Sequence, residues 1–185
     1  MSDSFISRRS FLGFGAFSVI ALKSSVLSAM ESSTFSKLPE RSLSFLNLHT
    51  SEKLSRVYWA EGAYISESMQ DLNQILRDYR TGDVIEIAPH LLDTLCELRM
   101  RLESTEPFEL ISGYRSPKTN AMLRQQSHGV AENSLHTKGM AADVRISGRP
   151  LIALKKTAIA MQAGGVGYYP AAQFVHVDVG RVRTW

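Results

Sequence analysis

Cysteine is almost absent from this chain: among 185 residues, Cys96 stands alone. One thiol makes no internal disulfide, so the fold must rest on its hydrophobic core. Cys96 lies in Leu91-Leu92-Asp93-Thr94-Leu95-Cys96-Glu97-Leu98, where helical spacing makes it a small buried hydrophobe. No partner signature of a nucleophilic thiol surrounds it. Long apolar runs are missing as well. The run at residues 11–22 stops at Lys23, well short of the ~20 residues needed to cross a bilayer. No other segment approaches that length, which argues against a stable membrane span. A surplus of one charge is also lacking. There are 21 Lys+Arg and 18 Asp+Glu, and residues 1–29 take Arg8, Arg9 and Lys23 against Asp3, leaving 18 basic and 17 acidic groups. The sequence pI near 9.1 is therefore partly a property of the first 29 residues. No retained basic face supports nucleic-acid binding.

Those first residues have a logic of their own. A charged start, a short apolar core and a small-residue end near Ser28-Ala29 define a secretory signal. Paired arginines in Ser7-Arg8-Arg9-Ser10-Phe11-Leu12 resemble the twin-arginine type, a receptor-read address rather than an anchor. Residues 1–29 are thus expected to be removed after delivery to the periplasm by the twin-arginine export machinery. Residues 30–41, rich in Ser with one Pro, read as a flexible linker. The remainder, 42–185, suits one domain with a sizeable core.

Within it, residues 43–48 and 54–59 flank a polar turn and read as a β-hairpin. Ile65, Met69, Leu72 and Leu76 predict a helix over 65–77. Leu91, Leu95, Leu98 and Leu102 predict another over 89–102, both packed on one core. His49 and His90 have no second donor close by in sequence and read as turn or cap residues. Residues 108–112 form a strand running into Gly113-Tyr114-Arg115-Ser116-Pro117. Ser116 before Pro117 starts a helix that should reach about Gln126. Arg115 then sits at a strand-to-helix corner, either projecting into a site or pairing with a surface carboxylate. A polar loop, 127–133, carries His128, expected to be exposed. A strand at 141–146 and a helix at 150–162 follow, the helix ended by Gly164-Gly165. Strands at 166–169 and 174–179 close as a second hairpin.

Three side chains in the second half are of metal-holding type: His136, Asp143 and His176. The first two belong to S-x-H-x-x-G-x-A-x-D, and the third to Phe-Val-His-Val-Asp, which alternates as a strand does. Two imidazole nitrogens and one carboxylate are what a catalytic zinc takes, its fourth position left to water. The spacing alone is equally met by a satisfied core His136, a capping Asp143 and a strand His176.

The surrounding motifs are more specific. Residues 112–120, 134–143 and 164–180, with His49-Thr50-Ser51-Glu52 and residues 76–81 upstream, resemble the peptidoglycan metallopeptidase clan of D-Ala-D-Ala carboxypeptidases, whose fold the hedgehog signalling domain shares. Within the clan the chain is most similar to the YcbK-like branch of murein endopeptidases. The resemblance implies an α+β fold, a single domain with a small antiparallel sheet flanked by helices. It implies Zn2+ on His136, Asp143 and His176, and Arg115 beside the metal as stabiliser of the developing oxyanion. It also implies hydrolysis of peptide cross-links in peptidoglycan after export. The alternatives are a non-catalytic wall-binding module of the same fold, or a carboxypeptidase acting on free stem peptides. One departure stands out. Many clan members carry Glu or His just before the last ligand, whereas this chain has Ala172, Gln173, Phe174 and Val175. Asp178, two residues beyond His176 and on the same face of a strand, is the nearest ionisable group. It is a candidate catalytic base, or a partner that fixes the His176 ring.

Overall fold

Alternating apolar residues build the first strands: Leu43 and Phe45 of β1 (Glu40–Asn47) and Tyr58 of β2 (Lys53–Ala60) point to the core and are fully or almost fully buried. The computed structural model describes residues 35–126 and 129–185; the expected leader and His128 lie outside them. After β2 come β3 (Ala63–Tyr64), α1 (Ser66–Ile75), α2 (Pro89–Arg101), β4 (Phe108–Ser112) and α3 (Pro117–Gln126). A 3-10 turn (Leu135–Lys138), β5 (Ala141–Ile146), α4 (Leu151–Met161), β6 (Gly165–Tyr169), β7 (Phe174–Asp178) and β8 (Arg183–Thr184) complete the order.

The strands form one sheet in the order β3-β2-β1-β4-β5-β7-β6-β8. The α+β class and single domain hold, but the sheet is larger than expected and mixed. β1 pairs with β4, and β6 with β8, in parallel, while the other neighbours are antiparallel. Helical segments between β1 and β4 supply the long crossover that parallel pairing needs. β3 and β8, two residues each, are too short to show a period in the sequence.

Two further differences have local causes. The packed chain reaches back into the segment expected as linker. Phe35 is buried there, and the Arg41 guanidinium lies 4.5 Å from the ring centroids of both Phe35 and Trp59. α4 ends not at a glycine but at Gln162, which takes the left-handed conformation with φ 53°. Gly164 serves a different purpose: a Cβ there would stand 1.9 Å from the Asp178 carbonyl oxygen, so only glycine lets the backbones approach.

The sheet has two unlike faces. Val144 of β5, Val166 of β6, and Val175 and Val177 of β7 join the core on one of them, with Leu91, Leu95 and Leu98 of α2 and Leu154 of α4. Strand alternation sends Asp143, Gly167, Tyr169, His176 and Asp178 to the other face.

Candidate metal centre

Strand pairing lays the centre out as a row. Ser112 of β4 is opposite Asp143 of β5, Asp143 is opposite His176 of β7, and His176 is opposite Gly167 of β6. Ser112 joins this row because a bulge between Leu110 and Ser112 shifts the register, turning its side chain to the polar face. His136 arrives from above, on the 3-10 turn. Gly139 closes that turn with φ 65°, and a Cβ there would stand 2.7 Å from the Glu86 carbonyl oxygen.

The three expected ligands meet. His136 Nε2 lies 3.1 Å from His176 Nδ1, His176 Nδ1 lies 2.9 Å from Asp143 Oδ1, and His136 Nε2 lies 3.2 Å from the same oxygen. All three residues are buried. Each imidazole has its other nitrogen committed. His136 Nδ1 is 2.7 Å from the Gly113 carbonyl oxygen, so this nitrogen carries the proton and donates it. His176 Nε2 is 3.1 Å from Asp178 Oδ2 and donates likewise. With those tautomers set, two nitrogen lone pairs and one carboxylate oxygen point at a common centre. Such a convergence of acceptors is of the kind that holds a cation. Zinc with tetrahedral bonds of about 2.0–2.1 Å spaces its donors about 3.3 Å apart, close to the separations found. The donor set therefore fits a divalent ion.

Protonation follows the same electrostatics. Burial alone would raise Asp143; the two imidazoles outweigh it and hold its carboxyl well below the usual range. Burial would lower His176, yet hydrogen bonds to Asp143 and Asp178 leave it raised. In the metal-free protein a proton thus competes for the place between the acceptors.

Asp178 stands behind His176 rather than beside the ligand triangle. It is 0% exposed and accepts from the backbone N–H groups of Gly165 (3.0 Å) and Gly180 (2.8 Å) and from Arg183 (2.8 Å to Nη2). Of the two roles open for it, this geometry fits the fixing of the ring; a buried carboxylate with four sets of donors is poorly placed to take a proton from the cleft.

The triangle opens on a cleft of about 450 Å3. On the β4 side stands Arg115, whose guanidinium is 3.7 Å from Asp143 Oδ2 and makes only long contacts of 3.4 and 3.5 Å to Asn120 and Ser112. Its Nε is buried without a partner. Burial lowers the Arg115 pKa, with Asp143 acting against it. Asn133 and Ser134 continue that wall, and Tyr169, Phe174 and Trp185 form the other. Among the described residues, Asp143 is the sole carboxylate lining the cleft. The expected turn residues stay apart from it: His49 stacks on Tyr79 at 3.8 Å, and His90 is exposed on α2. The aromatic wall was missed from sequence. The i, i+2 alternation of Gly167 and Tyr169 carried a signal for it, but β8, which brings Trp185, carried none.

Comparison with known proteins shows the family. The profile of the family described as peptidoglycan L,D-endopeptidase MepK matches residues 36–185. The chain is 42% identical over 179 residues to the peptidoglycan L,D-endopeptidase MepK of Escherichia coli (strain K12), covering 97% of each chain. It is equally similar to the protein of that name from Shigella flexneri. To the probable peptidoglycan L,D-endopeptidase MepK of Haemophilus influenzae it is 41% identical, covering 97% of this chain and 95% of the relative. On a match of this extent and identity, the chain belongs to the MepK family of peptidoglycan L,D-endopeptidases.

Proposed function

We propose that the protein is an exported zinc peptidase that hydrolyses peptide cross-links of peptidoglycan. The observation that carries this reading is the convergence of His136 Nε2, His176 Nδ1 and Asp143 Oδ1 at one edge of an open cleft. An ion held there supplies Lewis acidity toward a peptide carbonyl and makes water nucleophilic near neutral pH. The protein's own groups do the rest. Asp143 provides the negative charge that favours a dication over a proton. Asp178 and the Gly113 carbonyl fix the imidazole tautomers and ring angles. Arg115, charged and only loosely engaged, stands where it can donate to the oxygen on which negative charge builds as the amide is attacked. The leader at residues 1–29 addresses the protein to the twin-arginine machinery, and residence in the periplasm follows from that reading.

The test is cleavage. Purified metal-loaded protein incubated with cross-linked muropeptide dimers should release monomers, and a chelator should stop the release until zinc is restored. Intact dimers in both tubes, with binding retained, would identify a wall-binding module instead.

A further inference from the structure

Trp185 is 49% exposed, yet its indole is pinned on every other side. Its Nε1 donates to the Tyr169 hydroxyl at 2.7 Å, and the Arg183 guanidinium lies 4.8 Å from its ring centroid. The backbone of Trp185 pairs with Val166 and Tyr168. Beneath the ring lies Gly167, where a Cβ would come within 2.7–2.8 Å of three indole atoms. The sequence therefore keeps a glycine at that point of β6, and the indole occupies the space. The indole centroid is 5.2 Å from that of His176, and the ring lines the same cleft as the ligand triangle. Beside it the Tyr169 and Phe174 rings stack at 4.6 Å. Rigid exposed indoles of this kind are how binding sites gain contact area at little entropic cost.

We propose that Trp185 is a substrate-contacting residue, its indole being the apolar wall on which an aliphatic stretch of the peptide substrate lies. The sheet order sets the division of labour. Arg115, just after β4, faces the cleft from that side, and Arg183 and Trp185 face it from the β8 side; between them lie Asp143 on β5, His176 on β7 and His136 on the 3-10 turn. A peptide chain crossing the triangle thus meets the Arg115 guanidinium on one flank and, on the other, an aromatic surface with the Arg183 guanidinium beside it.

The inference rests on the peptidase reading, and its test separates the two. Trp185→Ala should raise KM for a cross-linked muropeptide dimer at least tenfold, a typical loss for a truncated aromatic anchor, with kcat within about threefold. Trp185→Phe, which keeps an aromatic face, should recover most of the loss. Metal content equal to wild type shows that His176 is undisturbed. An unchanged KM, or a fall confined to kcat, overturns the proposal while leaving the peptidase reading intact. If the wild type proves not to cleave the dimer, binding decides. The chain has two tryptophans, so Trp59→Phe leaves Trp185 as the lone indole reporter. A saturable change in its emission on adding dimer supports the wall. No change at concentrations where calorimetry detects binding, or no binding at all, overturns it. The same titration decides the matter if Trp185→Ala fails to fold.

Discussion

At the scale of single residues, the proposed metal centre is a problem in placing lone pairs. His136 and His176 can each offer one nitrogen to an ion only because the other is held by an acceptor, Gly113 O in one case and Asp178 Oδ2 in the other. The two acceptors differ in strength. A carbonyl is neutral and part of the backbone, whereas Asp178 is a buried anion whose charge is balanced by Arg183 and two backbone N–H groups. Burial would raise its pKa, but those donors and His176 hold it well below the usual carboxylate range. Asp178→Asn keeps the shape and removes the charge. The substitution should weaken metal affinity about 10–100-fold, the range seen when such outer partners of ligating histidines are lost. His176→Ala, which removes a ligand, should abolish stoichiometric binding. Metal titration by calorimetry or a competing chromophore checks the order. Equal affinities in Asp178→Asn and wild type would leave that carboxylate without a role at the metal.

At the scale of elements, the joint between the 77–88 segment and α3 shows how Arg115 is brought to the cleft. Asp78 is 1% exposed and accepts from the backbone N–H groups of Ser116 (2.9 Å) and Arg80 (3.0 Å). Its burial would raise the carboxyl, but bonds from Thr119, Ser116 and Arg80 bring it down to about 2. Because the folded pKa lies below the unfolded one, this group's contribution to stability is present above about pH 4. It is lost as pH falls toward 2. Asp78→Asn should cost roughly 1–3 kcal/mol at pH 7, the usual range for a hydrogen-bonded buried charge. The gap from wild type should close in urea titrations taken down to pH 2. A gap independent of pH would assign the cost to packing instead. Ser116 and Pro117 announced this helix start in the sequence because capping chemistry is local. The Asp78 bond to it was not legible, since 38 residues separate the partners. The same distinction separates His136 from Trp185. The histidine sits in a dense local motif, while the tryptophan reaches the cleft through a two-residue strand whose pairing with β6 no local pattern encodes.

For the whole molecule, the two faces of the sheet divide stability from chemistry. Leu91, Leu95, Leu98, Val144, Val175 and Val177 build the core on the helix-covered face. That arrangement was readable from 3.6- and 2-residue periods, and it explains why the helices and central strands were foreseen within a few residues. The mixed sheet order was not, because strand periodicity names a buried face without naming a neighbour. The ligand triangle lies on the other face and is already assembled by protein–protein hydrogen bonds: His136 to Gly113, His176 to Asp178, and Asp143 fixed in β5. On the proposed reading, an ion bound there should add stability to a fold that forms without it, in contrast to small zinc domains that unfold without metal. Chelation should leave the far- and near-ultraviolet circular dichroism in the form of the loaded protein. It should still lower Tm, since a ligand that binds only the folded state stabilises by about 4 kcal/mol at a thousandfold excess over its Kd. Restoring zinc should return Tm in a concentration-dependent way. Loss of the near-ultraviolet spectrum on chelation would mean instead that the core and the metal centre form one cooperative unit, and that the division between the two faces fails.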